Sequence, residues 1–235
     1  MTRRVLRAFG TALMIAGAVL VLDAGLTVAW QEPFSAIYAR IVQTGLGKQL
    51  GTLDATAPSQ LEQNAVLALH KRQQRVALLA RMQRRQVPAG HPIAKITIAK
   101  IHLSKVVING TQTADLRKGP GLIESTDLPG LGTTTAIAGH RTTYGAPFNK
   151  INELGPNDPI FVRTAYGRFE YRVVRTRIVK PSDTWVLANV GHGQLVLSAC
   201  HPLYSASHRF IVFSREVGYT PPATGPYSRL LRSVR

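Results

Sequence analysis

Cysteine is almost missing: Cys200 is the one thiol in 235 residues. That excludes an internal disulfide and any metal site built on several thiolates, and it leaves a thiol that is either a nucleophile or a buried, inert side chain. Acids are scarce too, with 12 Asp and Glu against 29 Lys and Arg, a formal net charge of +17. No acidic cluster suggests calcium. The cation excess favours anionic surfaces, whether nucleic acid, lipid headgroups or acidic wall polymers. It is spread along the chain: residues 1–90 carry 11 cations and 4 acids, and the remainder 18 and 8. A nucleic-acid-binding domain would show a sharper basic stripe with interleaved aromatics, so no nucleic-acid partner is expected. No internal repeat is visible.

Lys and Arg are absent from residues 8–29, a run of about the twenty-residue length that spans a bilayer. Arg3, Arg4 and Arg7 precede it, so the positive-inside rule keeps residues 1–7 cytoplasmic and puts the rest of the chain outside the cell membrane, with Trp30 at the outer interface. Asp23 lies toward the outer end, where a shallow or tilted placement accommodates it. Cleavage after Thr27-Val28-Ala29 is the alternative, but the apolar run exceeds an ordinary signal peptide's, so 8–30 reads as an uncleaved single-pass anchor.

Residues 31–90 read as a helical stalk holding a catalytic part off the membrane. Pro33 opens it, Gly45, Gly47 and Pro58 interrupt it, and 61–87 lacks both Gly and Pro. Leu61, Ala65, Ala68, Leu69, Val76, Leu79 and Met82 form one apolar stripe, with Lys71, Arg72, Arg75, Arg81, Arg84 and Arg85 on solvated faces. After Pro88-Ala89-Gly90 the pattern turns strand-like. Strands are expected at 96–101, 105–108, 133–139, 160–164, 167–179, 194–199 and 210–215, with short helical turns at 114–121 and 148–154. So many short strands with so little helix between them argue for a mainly β domain over 91–219, a closed or nearly closed barrel. Residues 220–235 read as a flexible basic tail.

A cysteine nucleophile needs a base or imidazolium partner, a group to neutralise the oxyanion, and exposure. Cys200 ends the strand Leu195-Val196-Leu197-Ser198-Ala199-Cys200, and a hairpin to the next strand would set Arg209 beside it. His140 ends another strand in Ala138-Gly139-His140-Arg141. Seven histidines are present, and chemistry alone does not choose among them. A zinc site of Cys200, His201 and His208 is a second reading, though it lacks regular ligand spacing.

The segment Gly139-His140-Arg141-Thr142-Thr143-Tyr144-Gly145-Ala146-Pro147-Phe148, the strand ending at Cys200, and Arg209 nine residues later together resemble a sortase, most like the class E sortases of actinobacteria. Ile108-Asn109-Gly110-Thr111, Gly119-Pro120-Gly121 and Leu128-Pro129-Gly130 extend the resemblance over about 91–217. It implies an eight-stranded sortase-type barrel and a cysteine transpeptidase without metal or organic cofactor. Cys200 would be the nucleophile, His140 the acid and base, and Arg209 the oxyanion or substrate-backbone ligand. Ala199, Val196 and Thr142 would lie on the substrate side. The partners implied are secreted proteins with C-terminal LPXTG- or LAXTG-like sorting signals and an amine of a peptidoglycan precursor or pilin. Where the family usually has Thr-Leu-x-Thr-Cys, this chain has Val196, Leu197, Ser198, Ala199 and Cys200. Two other enzyme classes fit less well: Pro202 stands where a caspase-like site needs Gly, and Ser198-Ala199-Cys200-His201 departs from the L,D-transpeptidase pattern. The competing non-enzyme reading is a membrane-tethered basic binding protein, or an impaired sortase-like domain, with a buried cysteine.

Overall fold

Alternation of apolar residues along short strands builds a closed barrel in which one set of side chains fills the interior and the other faces outward. The computed structural model describes residues 2–30 and 33–232, and the side chains of residues 2, 26–30, 33 and 34, Trp30 and the 27–29 cleavage motif included, lie outside the described residues. The strands are β1 (Pro92–Ile98), β2 (Leu103–Asn109), β3 (Gly121–Leu122), β4 (Thr134–Gly139), β5 (Pro159–Thr164), β6 (Gly167–Val179), β7 (Gln194–His201) and β8 (His208–Thr220). They close in the order β1-β2-β3-β4-β7-β8-β6-β5. Two neighbouring pairs, β2 with β3 and β4 with β7, are parallel. Ile96, Ile137, Phe148, Val162, Phe169, Leu195, Leu197 and Val212 belong to the main core.

The helices are α1 (Thr2–Trp30), α2 (Pro33–Ala55), α3 (Gln60–Leu67), α4 (Arg72–Gln86), the single turn α5 (Thr113–Leu116) and α6 (Pro226–Arg232). Within α1, Arg3–Gly25 is long and apolar enough to cross a bilayer, with a mean hydropathy of 2.1.

Three expectations for the flanking segments are corrected. First, the 31–90 region is not a free-standing stalk but packs on the barrel. Leu46 and Leu50 of α2 bury against Val106 and Ile108, and α4 contributes Val76, Leu79 and Ala80 to the main core. Gly45 and Gly47 do not interrupt α2, because these tertiary contacts outweigh the roughly 1 kcal/mol that a helical glycine costs. Gln43 adds to them: its Nε2 donates to Val106 O (3.1 Å) and Lys118 O (2.8 Å), and its Oε1 accepts from Val106 N (2.8 Å).

Second, the helix expected over 61–87 is two helices, and Arg75 is buried, not solvated. The chain folds back at Lys71, and the Arg75 guanidinium then donates to Leu69 O (2.8 Å), Leu67 O (3.1 Å) and Leu230 O (2.8 Å). One planar fork thus satisfies carbonyls at the ends of both α3 and α6.

Third, residues 220–235 are not a loose tail throughout. Helix α6 buries Leu230 and Leu231 in the main core, and this apolar pair outweighs the Pro and Arg content that reads as disorder.

Candidate active site

Strands β4 and β7 run parallel, with Thr134 opposite Gln194 through to Gly139 opposite Ala199. One step further along both strands, His140 follows the end of β4 at the level where Cys200 stands in β7. On the other side of β7, Cys200 pairs directly with Arg209 of β8. Three adjacent strands therefore deliver His140, Cys200 and Arg209 to one end of the barrel.

Strand alternation decides which way the thiol points. Leu195, Leu197 and Ala199 belong to the main core, whereas Val196 belongs to a smaller apolar cluster on the outside of the sheet. Ser198 and Cys200 share the face of Val196. Cys200 is partly exposed, which removes the buried-cysteine alternative. Beside it on the outer face, Ala138 and Ser198 are also partly exposed. The next pair inward, Ala136 and Val196, is roofed by the 3-10 turn Thr184–Leu187, whose Val186 joins their cluster and whose following carbonyl, Ala188 O, accepts from Thr134 Oγ1 at 2.8 Å. The outer face of β4 and β7 is thus a short open floor with a closed far end.

This geometry corrects two residues expected on the substrate side. Ala199 is only 2% exposed and points into the barrel, and Val196 is completely buried beneath the β6–β7 connection. Ser198 and Ala138, which sequence reasoning passed over, hold the open positions instead; the signal that could have found them was their parity with Cys200. Thr142 is partly exposed in the loop after His140.

His140 is half-buried and leans on the Tyr144 ring, with centroids 5.3 Å apart. Its carbonyl accepts from Phe148 N at 2.9 Å, and its Nε2 is buried without a hydrogen-bond partner among the described residues. Burial, and secondarily the Arg117 charge, hold its pKa below the ordinary histidine value. The neutral imidazole is therefore favoured near pH 7. Arg117 lies over the Tyr144 ring, 5.6 Å from its centroid. An Arg117→Gln variant removes the second of those two causes, so the imidazolium becomes easier to form and the His140 pKa should rise. The shift, read by NMR titration with a His140→Asn control for assignment, should shrink at high salt because Arg117 is exposed. A downward shift, or none at low salt, would refute that electrostatic link.

Arg209 is held by its own hairpin loop: Nη1 donates to Ala206 O (2.9 Å) and His208 O (3.0 Å). A second arginine, which no sequence motif singles out, holds the Cys200 carbonyl. Arg141 is 5% exposed, and its guanidinium donates to Cys200 O (3.3 Å), Asn149 O (3.3 Å) and Asn152 Oδ1 (2.8 Å) and contacts His201 Nδ1 (3.2 Å). Burial lowers the Arg141 pKa, and the neighbouring Cys200 opposes that shift. None of the five ion pairs among the described residues includes it. The same contact bears on the zinc reading. His201 faces a guanidinium and His208 Nδ1 lies against Ser207 Oγ (3.1 Å), and the two histidines with Cys200 form no metal-holding group among the described residues.

The sortase-domain family matches residues 96–217, slightly over half of the chain and all eight barrel strands except the ends of β1 and β8. The chain belongs to the sortase family. Among curated sortases it is 30% identical over 127 residues to sortase D of Bacillus subtilis and 36% identical over 98 residues to sortase SrtE1 of Streptomyces coelicolor. These matches cover 52% and 38% of this chain but only 62% and 28% of those two proteins. Of solved structures, sortase E1 of Streptomyces coelicolor with a tripeptide in the active site superposes with a TM-score of 0.55 at 29% identity, covering 58% of this chain and 93% of that one. Sortase E of Streptomyces avermitilis gives 0.53 at 28%, covering 62% and 99%. The eight-stranded sortase barrel expected from the sequence is the fold of this protein.

Proposed function

We propose that this sortase is a membrane-anchored cysteine transpeptidase that cleaves an LPXTG- or LAXTG-like sorting signal between Thr and Gly and transfers the protein to an amine of the cell wall or a pilin. The observation that carries the reading is the in-register delivery of a partly exposed Cys200 between His140 and Arg209.

His140 takes the Cys200 thiol proton as the sulfur attacks the Thr carbonyl carbon, a C–S bond forms, and the oxygen gains charge that the Arg209 guanidinium stabilises. The Thr–Gly C–N bond then breaks, and the departing amine takes its proton from His140. A thioacyl enzyme remains. An incoming amine attacks the same carbon and gives its proton to His140, the C–S bond breaks, and the sulfur takes that proton back. Among the described residues no partner competes for His140 Nε2, which is buried and must be uncovered to reach either amine. The Ala138–Ser198 floor, with Thr142 at its rim, is the track for the signal peptide, and the Streptomyces coelicolor relative with a tripeptide in its active site supports a peptide there. The apolar α1 and the three arginines before it support a single-pass anchor with the barrel on the extracellular side.

The full chain in detergent, given LPXTG and LAXTG peptides with an amine acceptor, should release the Gly-containing fragment and yield the amide of the acceptor. Mass spectrometry reads both products. Cleavage of neither peptide class, with an alkylatable Cys200, would refute the assignment.

A further inference from the structure

Helix α2 has two faces. Ala39, Leu46 and Leu50 point at the barrel and are buried. Ile37 and Ile41, 59% and 69% exposed, stack one turn apart on the opposite side, with Tyr38 beside them and Thr44, Gly45 and Lys48 continuing the same exposed strip. Three large apolar side chains on adjacent turns of a helix already packed by its other face serve no purpose in the fold.

Their place in the chain says what covers them. Helix α1 ends at Trp30 and α2 starts at Pro33, a connection that reaches at most about 10 Å when extended. The headgroup layer on each side of a bilayer is about 5–7 Å thick. The first turn of α2 therefore starts within about 10 Å of the outer end of α1, in or beside that layer. Charge points the same way. Arg40 lies close enough to Lys105 to help burial depress that amine's pKa, and Arg117 stands on the Tyr144 ring at the same side of the barrel. None of the five ion pairs among the described residues includes Arg40, Lys48, Lys105 or Arg117.

We infer that α2 is an interfacial helix, with Ile37, Tyr38 and Ile41 seated in the headgroup layer of an anionic bilayer and Arg40, Lys48, Lys105 and Arg117 facing lipid phosphates. The inference rests on α1 crossing that bilayer, as read above. Its functional weight comes from what the rest of the first turns touch. Ser35 Oγ accepts from Tyr144 N at 3.1 Å, and Ala39 sits against Gly145, where an added Cβ would come within 3.3 Å of the Ala39 methyl. The loop that carries Tyr144 onto His140 is therefore held by the membrane-seated helix, and the mouth of the active site opens at the lipid surface. Substrates and amine acceptors that are themselves tied to the membrane meet the site at the height where they are held.

The test uses the full chain in lipid nanodiscs containing phosphatidylglycerol, in a Cys200→Ala background. Met14→Cys, Ile37→Cys, Ile41→Cys and Leu61→Cys each carry an environment-sensitive fluorophore, and all four positions are exposed, so the barrel is spared. Labels at 37 and 41 should emit to the blue of the label at 61 and be quenched by headgroup-proximal doxyl lipid, while 61 stays wet. The label at 14, read against a doxyl group placed deep on the acyl chain, reports insertion of α1. Quenching at 14 with 37 and 41 as wet as 61 overturns the interfacial helix and leaves the anchor standing. No quenching at 14 removes the anchor and the inference with it. Dry labels at 37 and 41 that lipid does not quench mean that protein, a second copy included, covers the face, and this also overturns the proposal. Equal quenching in neutral phosphatidylcholine discs overturns the role given to the cations. None of these readouts depends on transpeptidation.

Discussion

Replacing Cys200 with alanine will abolish formation of a covalent adduct with a sorting-signal peptide and leave the barrel intact. The loss should be on the order of 10⁶ in rate, the scale seen when a nucleophile is removed from an enzyme that works through an acyl intermediate. Stability should change little, because the Cys200 side chain is partly exposed on the outer face and its backbone pairing with Arg209 does not involve the sulfur. Intact mass after incubation with peptide reads the adduct, and circular dichroism reads the fold. The chain has one cysteine, so a thiol reagent should label the parent once and the variant not at all. Cleavage retained by the variant would end the proposed mechanism.

Phe148→Ala should cost about 3–5 kcal/mol, the range for truncating a buried aromatic residue. Phe148 is fully buried, and the face of its ring lies under Gly139, where an added Cβ would come within 2.7 Å of a ring carbon. Its amide also holds the His140 carbonyl. The truncation therefore opens a cavity directly beneath Gly139, the residue that precedes His140. Denaturant unfolding measures the cost, and kcat should fall even at temperatures where the variant remains folded. Gly139→Ala tests the same contact from the other side. Alone it should destabilise by overpacking, and combined with Phe148→Leu part of that penalty should be relieved, a coupling that a double-mutant cycle isolates. Strict additivity of the two changes would mean that Gly139 and Phe148 do not constrain each other.

The barrel was legible because its information is local. The alternation of β6 and β7, the Asn109-Gly110 turn, and a strand ending at each of His140 and Cys200 need only a few consecutive residues to read. What stayed hidden depends on partners distant in sequence. Arg75 reads as one more cation on a charged helix until Leu67, Leu69 and Leu230 bring their carbonyls to it. Arg141 is an unremarkable neighbour of His140 until β7 sets the Cys200 carbonyl against it. Val196 and Ala199 illustrate a different limit. Position relative to a family pattern suggested substrate contact, but strand parity sends Ala199 inward, and only the β6–β7 connection determines that Val196 is covered. In α2 the helical glycines misled for a related reason, since local propensity yields to Leu46, Leu50 and Gln43 once the barrel is there to bind them.

Gln43 has a consequence for how the protein behaves in company. Strand β3 pairs with β2 at only Ile108 and Asn109, so the stretch of β2 before them would be an open sheet edge in an otherwise sealed cylinder. The Gln43 amide occupies both the N–H and the C=O of Val106, as a neighbouring strand would. A helix side chain thereby covers a stretch of edge along which two copies could otherwise stack.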